Sequence, residues 1–305
     1  MLDHVTIRTG SKGRIVSAVQ AALNARGENL SIDGTFGPKS DKAAARALCR
    51  KAPVTLRGLE LRKLGVPLAY GIDLSGHNEG GTKRPVDFDR VKAAGVSFAW
   101  LKLTEGSRYS NPEAIRQAAE CARVGIAVGG YHFGDPSAIR AMNLADLAAD
   151  ARAEATHYLN ARRRTFVAAS PGLPDVLDLE QAYQSNLSAA AWAALGGTGG
   201  SRAELCALWC LAWLEHVQSA TGVRPMIYSG KWAVDAYLAR APRALVAQLA
   251  THKLWLASYN SGAEPKRQVS AWQDWSVWQY SGTGACPGVD GQCDLNVCLA
   301  KDIGL

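Results

Sequence analysis

Hydrophobic and polar positions alternate along most of this chain in short, regular blocks. Apolar runs of strand length recur at "AYGIDLS", "VSFAWLKLTEG", "IAVGGYHFG", "PDVLDLE", "RPMIYSG", "KLWLASYN" and "WSVWQYS", with a last short piece near "CDLNV". Between several of them lie stretches with helical periodicity, at 112–124, 143–163, 202–221 and 232–249. Strands alternating with amphipathic helices predict a parallel sheet, and eight such strands predict a barrel that begins near Leu68.

The first fifty residues have another rhythm. Ile15, Val16, Val19, Ala22 and Leu23 form a helical stripe that Gly27 ends. Two turn signals follow, Asp33-Gly34 and Gly37-Pro38, and Ser40 stands as the N-cap of a second helix. The expected organisation is a small helical unit at 1–50, a basic linker at 51–68 and the barrel at 69–305.

Composition narrows the setting. The chain has 305 residues, a net charge of +7 and no apolar run long enough for a membrane span. The charge suits an anionic partner such as nucleic acid, a membrane surface or cell wall. Basic residues are scattered, with "RRR" at 162–164 the only tight cluster, and no nucleic-acid-binding signature accompanies them. Neither nucleic acid nor stable membrane insertion is expected, and the protein is expected to be a monomer. "MLDHVTIRTGSKGR" lacks the apolar core of a signal peptide, so synthesis in a cytoplasm is expected. Seven cysteines, an odd number, lead to the expectation that no disulfide is essential. A bridge among Cys286, Cys293 and Cys298 stays open, and Cys206 and Cys210 read as helix core.

The chemistry gathers at strand ends. In a parallel barrel those ends meet at one rim, where active sites lie. They carry Asp73, Glu105, Tyr131, His132, Asp178, Glu180, Tyr228, Tyr259, Asn260, Gln279, Tyr280, Asp294 and Asn296. Asp178 and Glu180, at i and i+2, face the same way with Cα atoms roughly 6.5 Å apart. Two carboxyls beside a scissile bond, one protonated and one ionised, are what glycoside hydrolysis requires. Crowded acids raise one another's pKa, which suits one of them to donate a proton. Tyr131, Phe133, Tyr228, Trp255, Trp278 and Tyr280 would stack on sugar faces. His132 would orient a carboxylate or the substrate. "GGTGG" at 196–200 reads as a loop, since no phosphate-loop Lys-Ser/Thr follows. No Gly-x-Ser-x-Gly or His-Glu-x-x-His occurs, so no serine or zinc hydrolase is indicated, and no metal or cofactor is expected.

Two resemblances sharpen this reading. "RTGSKGRIVSAVQAALNARG" followed by "IDGTFGPKSDKAAARAL" resembles the peptidoglycan-binding domain of wall hydrolases. The ordered set "YGIDLS", "KLTEG", "GGYHFG", "DVLDLE", "MIYSG", "LWLASYN", "WSVWQYS" and "GVDGQCDLN" resembles glycoside hydrolase family 25, the N-acetylmuramidases called lysozymes. That resemblance implies a modified β/α barrel, a TIM-like fold with fewer helices than strands. It implies cleavage of the β-1,4 bond between N-acetylmuramic acid and N-acetylglucosamine in bacterial peptidoglycan. It implies Glu180 as the acid, Asp178 as its partner, and Asp73 and Asp294 as further cleft aspartates. The chain departs from the family in a longer segment after the first strand, in Leu103, in Phe88 and in an insertion at 193–204. The combination resembles a phage endolysin or a bacterial wall-lytic enzyme. The alternatives are a non-catalytic wall-binding protein and a chitin-cleaving enzyme of the same fold.

Overall fold

The computed structural model describes residues 5–79, 83–136, 144–167, 172–180, 202–260, 262–265, 269 and 271–305. Its centre is a closed barrel of eight strands: β1 (Leu68–Leu74), β2 (Phe98–Glu105), β4 (Ala127–Phe133), β5 (Val176–Asp178), β6 (Met226–Gly230), β7 (Leu254–Ala257), β8 (Val277–Gly284) and β9 (Cys293–Leu299). A two-residue strand, β3 (Tyr109–Ser110), pairs with the end of β2. Pairing is parallel from β1 round to β8. β9 runs antiparallel to both β8 and β1. The expected all-parallel order therefore fails at the closing strand. The connection from β8 to β9 is a hairpin, too short for the crossover a parallel neighbour needs.

Alternation along each strand divides the side chains between two cores. Phe98, Trp100, Tyr131, Val176, Met226, Tyr228, Trp255 and Val277 fill the barrel interior. The other face packs under helices, chiefly α5 (Ala114–Val124), α6 (Leu144–Thr165) and α7 (Arg202–Thr221). The interior holds large rings because facing positions are glycine. A Cβ on Gly71 would lie 2.1 Å from the Phe98 ring. The helical stretch expected at 232–249 is broken: a turn at Lys231–Ala233, a π-helical turn at Val234–Leu238, then a helix from Arg243 after Pro242. A short helix at Phe88–Ala93, α4, was not foreseen. No described helix is long and apolar enough to cross a membrane.

The small unit contains three helices: α1 (Arg14–Asn24), α2 (Pro38–Ala47) and α3 (Gly58–Leu64). Gln20 is its pin. Its amide donates to Asp33 Oδ1 at 2.8 Å and to the Thr35 carbonyl at 3.0 Å, and accepts from Gly34 N at 3.0 Å. The Gln and Asp-Gly of the sequence pattern thus shape one turn. Most of the stretch 51–68, expected as a linker, belongs physically to this unit, up to Val66, while Leu68 already starts β1. Leu56, Leu61 and Leu64 are buried in its core, and Ile7 pairs with Leu56.

The unit is docked on the barrel. Glu264 accepts from the backbone N–H of Ile15 and from Trp275 Nε1, both at 2.7 Å. Arg14 pairs with Asp302 at 2.7 Å and lies over the Trp275 ring at 4.9 Å. Gly13 has φ +116°, and a Cβ there would overlap the Glu264 side chain, so glycine is what permits this approach.

Candidate active site

At the rim where the parallel strands end lies a cleft of about 310 Å³. Neighbouring strands bring Phe133, Asp178 and Tyr228 to one level, since β4, β5 and β6 pair in register there. Trp255 from β7 forms the floor, 4.8 Å from both the Trp100 and Tyr228 rings. β9 contributes from its first turn rather than its end, because it runs the other way. Its second residue, Asp294, stands opposite Asp73 of β1.

One amide organises the polar floor. Gln279 Nε2 donates to Asp73 Oδ2 at 3.0 Å. Its Oε1 accepts from the Tyr228 hydroxyl at 2.9 Å and the Tyr259 hydroxyl at 3.0 Å. Asn296 Nδ2 adds a second donor to Asp73 at 2.8 Å, while its Oδ1 accepts from Trp255 Nε1, also at 2.8 Å. Asp294 completes the set by hydrogen bonding to Asp73.

Burial dominates the acidities. It raises Asp73 to about 6, against the opposing pull of its donors Asn296, Gln279 and Asp294. Burial and the charge of Asp73 push Asp294 up to about 9, so the pair shares one proton that sits on Asp294. Asp178 is held well above the usual carboxylate range, by burial first and then by Glu180. Its Oδ1 is buried without a hydrogen-bond partner among the described residues. Glu180 is raised by burial and by Asp73. The ammonium of Lys102 offsets part of the rise in both.

Of the residues expected at the rim, Asp73, Tyr131, Asp178, Glu180, Tyr228, Trp255, Tyr259, Gln279 and Asp294 line the cleft. Asn296 stands behind Asp73. Glu105 is half-exposed and ion-paired to Lys102 at 2.5 Å, outside the lining. Asn260 donates to Ser258 at 3.0 Å and does not line the cleft.

Beyond Glu105 and Asn260, three more expectations are corrected. His132 faces the helices, because Tyr131 takes the inward position. It contacts Thr104 Oγ1 at 2.8 Å and Glu154 Oε2 at 2.9 Å, and stacks on Trp213. Burial drops it to about 3, so it is a neutral core imidazole. Trp278 and Tyr280 also point outward, on either side of inward Gln279. Trp278 donates to the Ser258 carbonyl at 2.7 Å and packs edge-on against Tyr280 and Trp275. The 193–201 part of the insertion, with "GGTGG", lies outside the described residues.

Lys102, Ser75 and Thr283 line the cleft and were missed. Lys102 was readable: alternation from Phe98 and Trp100 puts it on the inner face, a lone cation in an apolar strand.

Among the described residues the rim holds four carboxyls, three tyrosines and a tryptophan, the acids and rings that glycoside hydrolysis calls for. The family model "Glycosyl hydrolases family 25" matches residues 72–289, and the chain belongs to that family. Lysozyme M1 of Streptomyces globisporus is 27% identical over 235 residues, which cover 74% of this chain and 66% of that protein. The chain thus spans just under two thirds of that relative. The N,O-diacetylmuramidase of Chalaropsis sp is 27% identical over 221 residues, 72% of this chain and 90% of the relative. Among solved structures, the bacterial lysozyme from Streptomyces coelicolor superposes with a TM-score of 0.56 at 24% identity, covering 75% of this chain and 90% of that one. The catalytic domain of endolysin ply40, from bacteriophage P40 of Listeria monocytogenes, gives 0.53 at 20% identity, covering 78% and 96%. At those identities the superpositions speak to the fold alone.

Proposed function

We propose that the cleft cuts the glycan strand of bacterial peptidoglycan at the β-1,4 bond between N-acetylmuramic acid and N-acetylglucosamine. The observation that carries the reading is the Asp178–Glu180 pair at the end of β5, both raised in pKa and both lining the cleft. Glu180 is the less enclosed of the two and protonates the leaving oxygen. Asp178 stabilises the charge that develops on the sugar or on its N-acetyl group. Its unpartnered Oδ1 suits an N–H donor brought by the substrate. Burial and then Asp73, held by Gln279 and Asn296, raise Glu180 and so favour its protonated form. The tyrosine hydroxyls and Trp255 hold sugar rings. The small unit binds the wall, and the protein works there as a monomer.

The test digests purified sacculi with the full chain and reads the fragments by mass spectrometry. Reducing-end N-acetylmuramic acid supports the reading. Reducing-end N-acetylglucosamine, or no soluble fragments, contradicts it.

A further inference from the structure

The hairpin that closes the barrel carries a feature that glycan cleavage does not use. Cys286 and Cys293 lie on its two arms, both buried, and Cys293 directly precedes Asp294. Gly284 pairs with Cys293 in the ladder, and a turn closes with Val289 N donating to the Cys286 carbonyl at 3.0 Å. The Cys286 thiol donates to the Pro287 carbonyl at 3.7 Å and the Cys293 thiol to the Asp294 carbonyl at 3.6 Å, and the two side chains are close enough to shift each other's acidity. The cover over the pair is thin: Ala285, Pro287, Gly291 and Gln292 are exposed. The other cysteines are placed differently. Cys298 lies deeper in the barrel interior, Cys206 and Cys210 share one helix, and Cys49 is exposed.

We propose that Cys286 and Cys293 are a dithiol–disulfide site that fastens the hairpin bearing Asp294. The interaction between the two side chains lowers the Cys286 thiol and raises that of Cys293, so Cys286 is the more acidic of the pair and is the one that attacks. With glutathione disulfide as oxidant, Cys286 attacks one sulfur and releases one glutathione. Cys293, losing its proton to solvent, then displaces the second glutathione from the mixed disulfide. Two protein thiols are oxidised and one glutathione disulfide is reduced to two thiols. The bond closes a small loop and restrains the unfolded chain. It also holds Gly282, Thr283 and Asp294 at the cleft wall.

The test incubates the reduced full chain with glutathione disulfide, alkylates remaining thiols and maps digests by mass spectrometry without reduction. The expected result is a 286–293 linkage, with five of the seven thiols still alkylated. The melting temperature should rise by roughly 5 °C and return on adding dithiothreitol. Cys286→Ser should show neither change, and the wild-type map stands whether or not that variant folds. Seven alkylated thiols, a Cys206–Cys210 link without 286–293, or an oxidised protein that melts no higher, would overturn the proposal.

Discussion

Asp294 donates a hydrogen bond to Asp73 across the β9–β1 ladder, so two acids at the cleft share one proton. The fold keeps a proton on Asp294 up to about pH 9, whereas an unfolded aspartate loses it near the ordinary value of 3.8. The stability tied to this pair is therefore whole below the unfolded value and is lost as pH rises toward 9. Asp294→Asn retains a donor and removes the titration. Its melting temperature should exceed that of the wild type at about pH 8, and its slope against pH should be flatter. Parallel slopes in the two proteins would contradict the shared proton.

Glu180→Gln keeps the shape of the acid and removes its transferable proton. Loss of general-acid catalysis costs about 10²–10⁴-fold in rate, so sacculus clearing should almost vanish. The variant should melt no lower than the wild type, because a partly buried carboxylate crowded by Asp73 is removed. An inactive and unfolded variant would show that Glu180 is structural.

Lys102 pulls the Glu180 carboxyl down against burial. Lys102→Met should therefore raise that pKa further and move the alkaline limb of the pH–rate profile upward, since the acid stays protonated longer. A limb that stays in place or moves down would remove Lys102 from the electrostatics of the cleft.

His132 supplies the opposite case. Cutting it to Ala leaves Glu154 and Thr104 without their partner in the shell, at a cost of roughly 2–4 kcal/mol. Denaturant unfolding should show that loss, while the pH–rate profile of the folded fraction should match wild type. A shifted profile would return His132 to the cleft.

Truncation separates the small unit from the barrel. Removing residues 1–50 strands α3 and exposes Leu61 and Leu64, whereas removing 1–66 takes the unit whole. The longer deletion should give the more cooperative melt and should lose pull-down on insoluble sacculi. Equal sacculus binding by the truncated and full chains would refute the wall-binding role.

Much of the barrel was legible because parallel strands are buried on both faces and read as continuous apolar runs. That same burial hid which face each polar residue takes. Gln279 sits between Trp278 and Tyr280, and a strand cannot send three consecutive side chains into one cleft. Alternation from Val277 would have chosen Gln279, as alternation from Trp100 would have chosen Lys102. The direction of β9 was hidden because "TGACPGVDGQC" reads as loop, yet Asp294 reaches the cleft all the same. α3 escaped because basic residues at Arg57, Arg62 and Lys63 dilute its two buried leucines, Leu61 and Leu64.

If the small unit binds the wall as proposed, the grip of Glu264 on Ile15 and Trp275 sets how two sites on one chain would cooperate. A unit on a floppy tether would raise the effective concentration of substrate over a broad range of separations. A docked unit behaves as a caliper. It rewards only those stretches of polymer whose anchor point and cutting point match one fixed span, so the enzyme's footprint on the wall would be a length as well as a chemistry.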